Sequence, residues 1–177
     1  MQTRKIVITG GPGTGKTALV EALRLKGFYC FDEISREITL KARLEGVEQL
    51  FLEDPILFSE KLLEGRKGQF LSATKRPEPL VFLDRGLPDV LAYMNFIGDE
   101  YPHRFKAVCN EHVYDQVFVL KPWKAIFKKD AERYENFEQA TEIYHHLEAT
   151  YSDFGYTLKE VPFGSVESRA QFVLDSL

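Results

Sequence analysis

The stretch VITGGPGTGKTALVEAL, Val7 to Leu23, constrains this chain more than any other. Gly10-Gly11-Pro12-Gly13-Thr14-Gly15-Lys16-Thr17 fits the pattern G-x-x-x-x-G-K-[ST]. It follows a β-branched run and precedes an amphipathic helical pattern, the context in which that pattern forms a phosphate-cradling P-loop. Glycines let the backbone curl around phosphate oxygens, and the N–H groups opening the next helix point at the anion with the helix dipole behind them. Pro12 has no N–H, so its neighbours must donate. Lys16 is expected at the β- and γ-phosphates of a nucleoside triphosphate and the Thr17 hydroxyl on Mg²⁺. The competing reading, a glycine-rich structural turn, does not account for the strand-to-helix context.

Strand and helix signals alternate along the rest of the chain, which predicts a parallel α/β sheet. Lys5–Thr9, Phe28–Phe31, Leu80–Leu83, Val117–Leu120 and Thr157–Val161 are short and rich in β-branched or aromatic residues, as strands are. Asp54 and Pro55 read as the N-cap and first residue of a long helix carrying Ile56, Leu63 and Phe70. Phe137, Ala140, Ile143, Tyr144 and Leu147 mark the buried face of another, and a last helix is expected over Val166–Asp175. With 177 residues and 44% apolar content, residues 1–177 suffice for one domain with a full core.

Composition removes several classes of function. The 23 basic and 27 acidic residues are too evenly mixed for a general nucleic-acid binder, and no nucleic-acid partner is expected. No apolar run approaches the roughly 18 residues of a membrane span, and the first residues lead into a strand rather than a signal-peptide core, so a cytoplasmic protein is expected. Cys30 and Cys109 read as reduced thiols, because Cys109 and His112 lack the second ligand pair of a structural zinc site.

The segment PLVFLDRGLPD, Pro79 to Asp89, carries the next chemical signal. Its apolar run ends in Asp84, and the carboxyl ends of parallel strands meet at the ligand crevice, which places Asp84 beside the Mg²⁺ of the triphosphate and Arg85 near the phosphoryl group. A cap on the helix that begins near Asp89 is the alternative for Asp84. Asp-Arg here, in place of Asp-Glu, disfavours a ring-forming ATPase motor. The chain lacks the H-R-D loop of protein kinases and the G-x-S-x-G of hydrolases. VFVLKPW, Val117 to Trp123, replaces the guanine-selecting Asn-Lys-x-Asp, so ATP is the expected nucleotide, with adenine over guanine selectivity left open.

The P-loop, FDEISREI (Phe31 to Ile38), DRGLPD (Asp84 to Asp89), LKPWKAIFKKDAERYENFEQA (Leu120 to Ala140) and GYTLKEVPFGSVESRAQFVL (Gly155 to Leu174) together resemble the small AAA-labelled ATP-binding family. That family is related to ribosylnicotinamide kinase domains and is similar in architecture to nucleoside and thymidylate kinases. The resemblance implies a three-layer P-loop NTPase fold, a five-stranded parallel sheet flanked by helices, with a kinase-like lid at about residues 121–136. It places Glu33 as the base for an acceptor hydroxyl, with Asp32 as runner-up; a helix-start anion is the plainer reading of either. Arg36 is read as a substrate-anion ligand or a solvated helix residue. Asp84-Arg85 agrees with deoxynucleoside and thymidylate kinases, whereas Gly86 stands where those carry Ser or Tyr.

Lys121, Lys124, Lys128, Lys129 and Arg133 fall in the lid-like stretch, and Arg133 matches the lid arginine that closes over a triphosphate. A solvated lysine-rich helix is the competing reading for the lysines. Trp123 is expected to pack the base of the lid, while adjacent His145 and His146 cannot both face one ligand. Two functions follow. One is transfer of the ATP γ-phosphoryl to a small nucleoside-like or other hydroxylated acceptor by Lys16, Glu33, Asp84, Arg85 and Arg133; the other is an ATP- or GTP-hydrolysing regulatory switch with no small-molecule acceptor.

Overall fold

Alternation along the first strand organises the molecule. In the computed structural model, which describes residues 2–128 and 135–177, β1 (Arg4–Gly10) sends Ile6 and Ile8 to one side and Val7 to the other, all fully buried. A strand buried on both faces belongs inside a parallel sheet. Here β1 is the central strand of five, in the order β2-β3-β1-β4-β5. The others are β2 (Tyr29–Phe31), β3 (Leu80–Asp84), β4 (Gln116–Leu120) and β5 (Leu158–Val161), and every pairing is parallel.

Helices cover both faces. Ile6, Ile8, Phe82 and Phe118 pack under α1 (Lys16–Leu25) and α8 (Val166–Asp175). Val7, Val81, Leu83 and Val117 pack against α4 (Pro55–Thr74), α5 (Pro88–Ile97), α6 (Arg104–Glu111) and α7 (Phe137–Asp153). The chain also forms α2 (Ser35–Leu44) and the single turn α3 (Leu50–Glu53) between β2 and α4. Asp54 caps α4 by accepting from Leu57 N at 2.9 Å, with Pro55 at the first helical position. Asn136 and Gln139 form a reciprocal capping box on α7. Caps of this kind contribute about 1 kcal/mol each and fix where a helix begins.

All five expected strands are present, displaced by no more than a residue at either end. The helix α6 has no counterpart in the sequence reading. Residues 121–128 form a turn, in which Ile126 N and Phe127 N both donate to Trp123 O, and no helix, so the lysine-rich helix does not occur in the described part of that stretch. Among the described residues no helix is long and apolar enough to cross a membrane.

Because every strand runs the same way, their carboxyl ends share one edge. Ile8 pairs with Asp84, Gly10 with Leu120 and Phe31 with Leu83. The P-loop, the end of β3 and the residues following β2 therefore meet at one level, where ligands of open α/β sheets bind.

Candidate active site

The P-loop joins β1 to α1 as its sequence requires. Gly15 precedes the helix with φ 82°, a left-handed conformation that favours glycine. Thr14 Oγ1 donates to Gly11 O at 3.0 Å and closes the loop on itself. The first turn of α1 has no acidic residue, which leaves its N–H groups and dipole for an external anion. Lys16 opens the helix and Thr17 follows on its exposed surface.

Lys16 Nζ lies 3.5 Å from Asp84 Oδ1, and both side chains are nearly buried. Burial and the neighbouring Arg85 lower the lysine pKa, against the pull of Asp84, Glu33 and Asp89. Asp84 Oδ1 is buried and accepts no hydrogen bond, Lys16 being its ion-pair partner, so it keeps a lone pair open to a metal ion. Hard oxygen donors from Asp84 and Thr17 suit Mg²⁺, which takes one or two protein ligands and completes its shell with phosphate and water. Asp84 caps no helix, since α5 starts at Pro88 without a side-chain cap.

Beside this pair, Glu33 is gripped by two arginines. Arg85 Nε approaches Glu33 Oε2 to 2.5 Å and Arg66 Nη2 approaches Oε1 to 3.1 Å. Burial pushes the Glu33 pKa up, but Arg66, Arg85, Lys16 and the Ser35 N–H outweigh it and hold the carboxyl far below the usual carboxylate range. Burial likewise opposes the charge on Arg85, and Glu33, Asp89 and Asp84 reverse that and raise its pKa. Ser35 N donates to Glu33 Oε1 at 3.0 Å, so Glu33 also serves as the helix-start anion of α2. Asp32 points elsewhere: its side chain is 78% exposed and pairs with Arg24 at 2.5 Å. Arg36 is exposed on α2.

Behind this pair sits Asp89, for which the sequence alone indicates only a helix start. Its buried carboxylate accepts from Thr9 Oγ1 at 2.5 Å, Tyr151 OH at 2.5 Å, Gly86 N at 2.9 Å and Arg85 Nη1 at 3.2 Å. It thereby ties β1 and α7 to the Asp84-Arg85-Gly86 turn. That turn holds Arg85 at φ 73°, the single non-glycine residue with positive φ among those described. The same packing accounts for Gly86, because a β-carbon there would come within 2.6 Å of the Tyr151 hydroxyl. Burial, then Asp89, raises the Tyr151 pKa well above its ordinary value, so the phenol stays a donor.

Arg66 and Tyr151 likewise are not singled out by any sequence motif, although each leaves a trace. Arg66 is one turn beyond buried Leu62 and Leu63, a charge inside the apolar stripe of α4. Tyr151 extends the stripe of Ala140, Ile143, Tyr144 and Leu147 by one further turn.

The segment after β4 lies against the P-loop. A β-carbon on Gly13 would fall 2.5 Å from the Phe127 ring, and Trp123 stacks on Phe163 with centroids 4.9 Å apart. Lys121 pairs with Glu160, while Lys124 and Lys128 are exposed. Lys129 and Arg133 lie outside the described residues. His145 is near Glu148 and His146 packs on Phe96, and neither reaches the crevice residues named above.

A five-stranded parallel sheet, helices on both faces and a P-loop facing a strand-end Asp-Arg define the P-loop kinase fold. The family described as an AAA domain matches residues 5–169, and the chain belongs to it. No curated protein matches the chain. Among solved structures it is similar to deoxyadenosine kinase from M. mycoides with its products dCMP and dCDP bound, at 16% identity and TM-score 0.71 over 97% of both chains. It is similar to NadR in complex with NR, at 18% identity and TM-score 0.74, over 98% of this chain and 50% of that one. Thymidylate kinase from Ehrlichia chaffeensis aligns over 99% of both chains at 12% identity and TM-score 0.68.

Proposed function

We propose that the protein is a phosphotransferase that moves the γ-phosphoryl group of ATP to a small nucleoside-like or other hydroxylated acceptor. The observation that carries this reading is a pair of adjoining charge clusters at the carboxyl edge of the sheet: Lys16 and Asp84 beside the P-loop, and Glu33 under Arg66 and Arg85 next to them. The acceptor oxygen attacks the γ-phosphorus, the bond to the β,γ-bridging oxygen breaks, and the hydroxyl proton passes to Glu33 and then to solvent. Mg²⁺, when bound through Thr17 and Asp84, neutralises phosphate charge. Lys16 supplies a fixed positive charge in a nearly buried position, where it is screened less than at the surface.

A carboxylate held at low pKa is a weak base, yet it suits this chemistry. In a largely dissociative phosphoryl transfer the hydroxyl proton leaves late, so orienting the nucleophile counts for more than base strength. Glu33 and Asp89 balance Arg66 and Arg85, and an electrically balanced end favours an uncharged hydroxyl over an acceptor that is itself a phosphate. Arg133 is assigned, from the family resemblance alone, to closing over the transferring group.

A regulatory switch is the second reading, favoured by Leu40 and Leu44, one turn apart on α2, and Leu52 on α3, all more than half exposed. Incubating the protein with Mg²⁺, ATP and a panel of nucleosides and nucleotides, and following ADP and phosphorylated product together, separates the two. Acceptor-stimulated ADP release with matching product is expected. Slow release that no acceptor stimulates would favour the switch.

A further inference from the structure

Arg169 belongs to α8, at the far end of the chain, yet it sits against the P-loop. Its Nη2 donates to Thr14 O at 3.0 Å, and a β-carbon on Gly15 would come within 2.7 Å of its Nη1. The residue is 3% exposed, and its Nε is buried without a hydrogen-bond partner. Lys16, Arg66 and Arg85 each have a carboxylate within 4.0 Å. Among the described residues Arg169 has none, and its other cation contact is the Trp123 ring, 5.9 Å from Cζ. Burial alone lowers its pKa.

A guanidinium stays charged in any protein, so burying one without a counter-ion costs stability. A backbone carbonyl and an aromatic face offset part of that cost without neutralising the charge. The location is specific: the cation lies beside Thr14 and Gly15, the residues that lead into the N-terminus of α1. We propose that Arg169 is a positioning residue for the bound triphosphate, its missing counter-charge being the nucleotide's own phosphates, felt across the Thr14–Gly15 backbone that it holds in place. This inference rests on the reading of the P-loop as a triphosphate site.

Two readouts on Arg169→Met, Arg169→Lys and the unaltered protein test it: calorimetric titration with Mg²⁺-ATP, ADP, AMP and adenosine, and thermal unfolding without nucleotide. Arg169→Met should bind ATP about tenfold more weakly, as expected for one partly screened charge. The loss should shrink through ADP and AMP to adenosine, and Arg169→Lys should recover part of it. Without nucleotide the Met variant should unfold at the same temperature or higher, since an unpaired charge has gone. A lower unfolding temperature with unchanged ATP affinity, or equal losses for ATP and adenosine, would overturn the inference in favour of a packing role. Should the Met variant fail to fold, Arg169→Gln takes its place, with the same expectations. If the unaltered protein binds no triphosphate at all, the P-loop reading falls first and the inference with it, a result distinct from normal binding by both protein and variant.

Discussion

The two ends of the crevice are built in different ways. The proposed phosphate end comes from eight consecutive residues, Gly10 to Thr17, together with one aspartate at the end of the neighbouring strand. The proposed acceptor end draws Glu33 from after β2, Arg66 from mid-α4, Arg85 from the β3–α5 turn, Asp89 from the first turn of α5, Thr9 from β1 and Tyr151 from α7. The first is mostly backbone, positioned by local turn geometry. The second is mostly side chain, held by a network in which carboxylates and arginines neutralise one another, with the Gly86 and Ser35 N–H groups donating to Asp89 and Glu33. A local device suits a ligand group that never changes, such as a triphosphate. A distributed one lets acceptor recognition vary without disturbing the P-loop.

If that contrast is sound, damage at one end should spare the other. The largest effect is expected from Glu33→Gln, which keeps size and removes the proposed base: acceptor-stimulated turnover should fall about 10²–10⁴-fold with ATP affinity unchanged, measured by product formation and calorimetry. Parallel loss of ATP binding would break the division. Next, Lys16→Ala should weaken Mg²⁺-ATP binding about 10²-fold, the scale of a pair of charge-assisted hydrogen bonds, without altering the unfolding temperature by more than a few degrees.

Asp89→Asn sharpens the picture from the structural side. It removes the charge opposite Arg85 and mismatches the buried donors, so a stability loss of about 1–3 kcal/mol is expected. For a chain of this size that is roughly 2–4 °C in Tm for each kcal/mol, alongside reduced acceptor turnover and intact ATP binding.

The smallest effect concerns pH. The Glu33 pKa is depressed from an ordinary 4.5. Its ion pairs therefore contribute stability that is fully present above about pH 4.5 and is lost as pH falls through the native value. The difference in Tm between the protein and Glu33→Gln should stay constant from about pH 7 to 5 and narrow below that. A difference that closes already near pH 6 would mean that the two arginines do not hold Glu33 as described.

The same division explains what the sequence disclosed. The strands and the P-loop are legible because alternation, β-branching and glycine spacing are local signals, read over a handful of neighbours. Asp84 is legible because a strand end points at the crevice in any parallel sheet. The preference for Glu33 over Asp32 as the base comes from the family resemblance alone, since adjacent carboxylates after a strand look alike until one finds Arg66 and the other Arg24. Arg66, Asp89, Tyr151 and Arg169 have meaning only through partners distant in the chain, so no window of sequence contains their role. The lysines after β4 suggested a helix by composition, whereas Trp123 and Phe127 anchor the described part of that stretch as a turn on Phe163 and the P-loop.

Gly86 and Tyr151 also bear on which substitutions the fold can accept. The hydroxyl of one fills the space that any side chain on the other would need, while the same hydroxyl donates to Asp89. A serine introduced at position 86 meets that oxygen at 2.6 Å and the Tyr114 ring at 3.0 Å, so both tyrosines must give way for it. Tyr151→Phe clears only the first contact, and it leaves Asp89 with one donor fewer. A variant that reaches position 86 by that route therefore passes through a weakened network on the way.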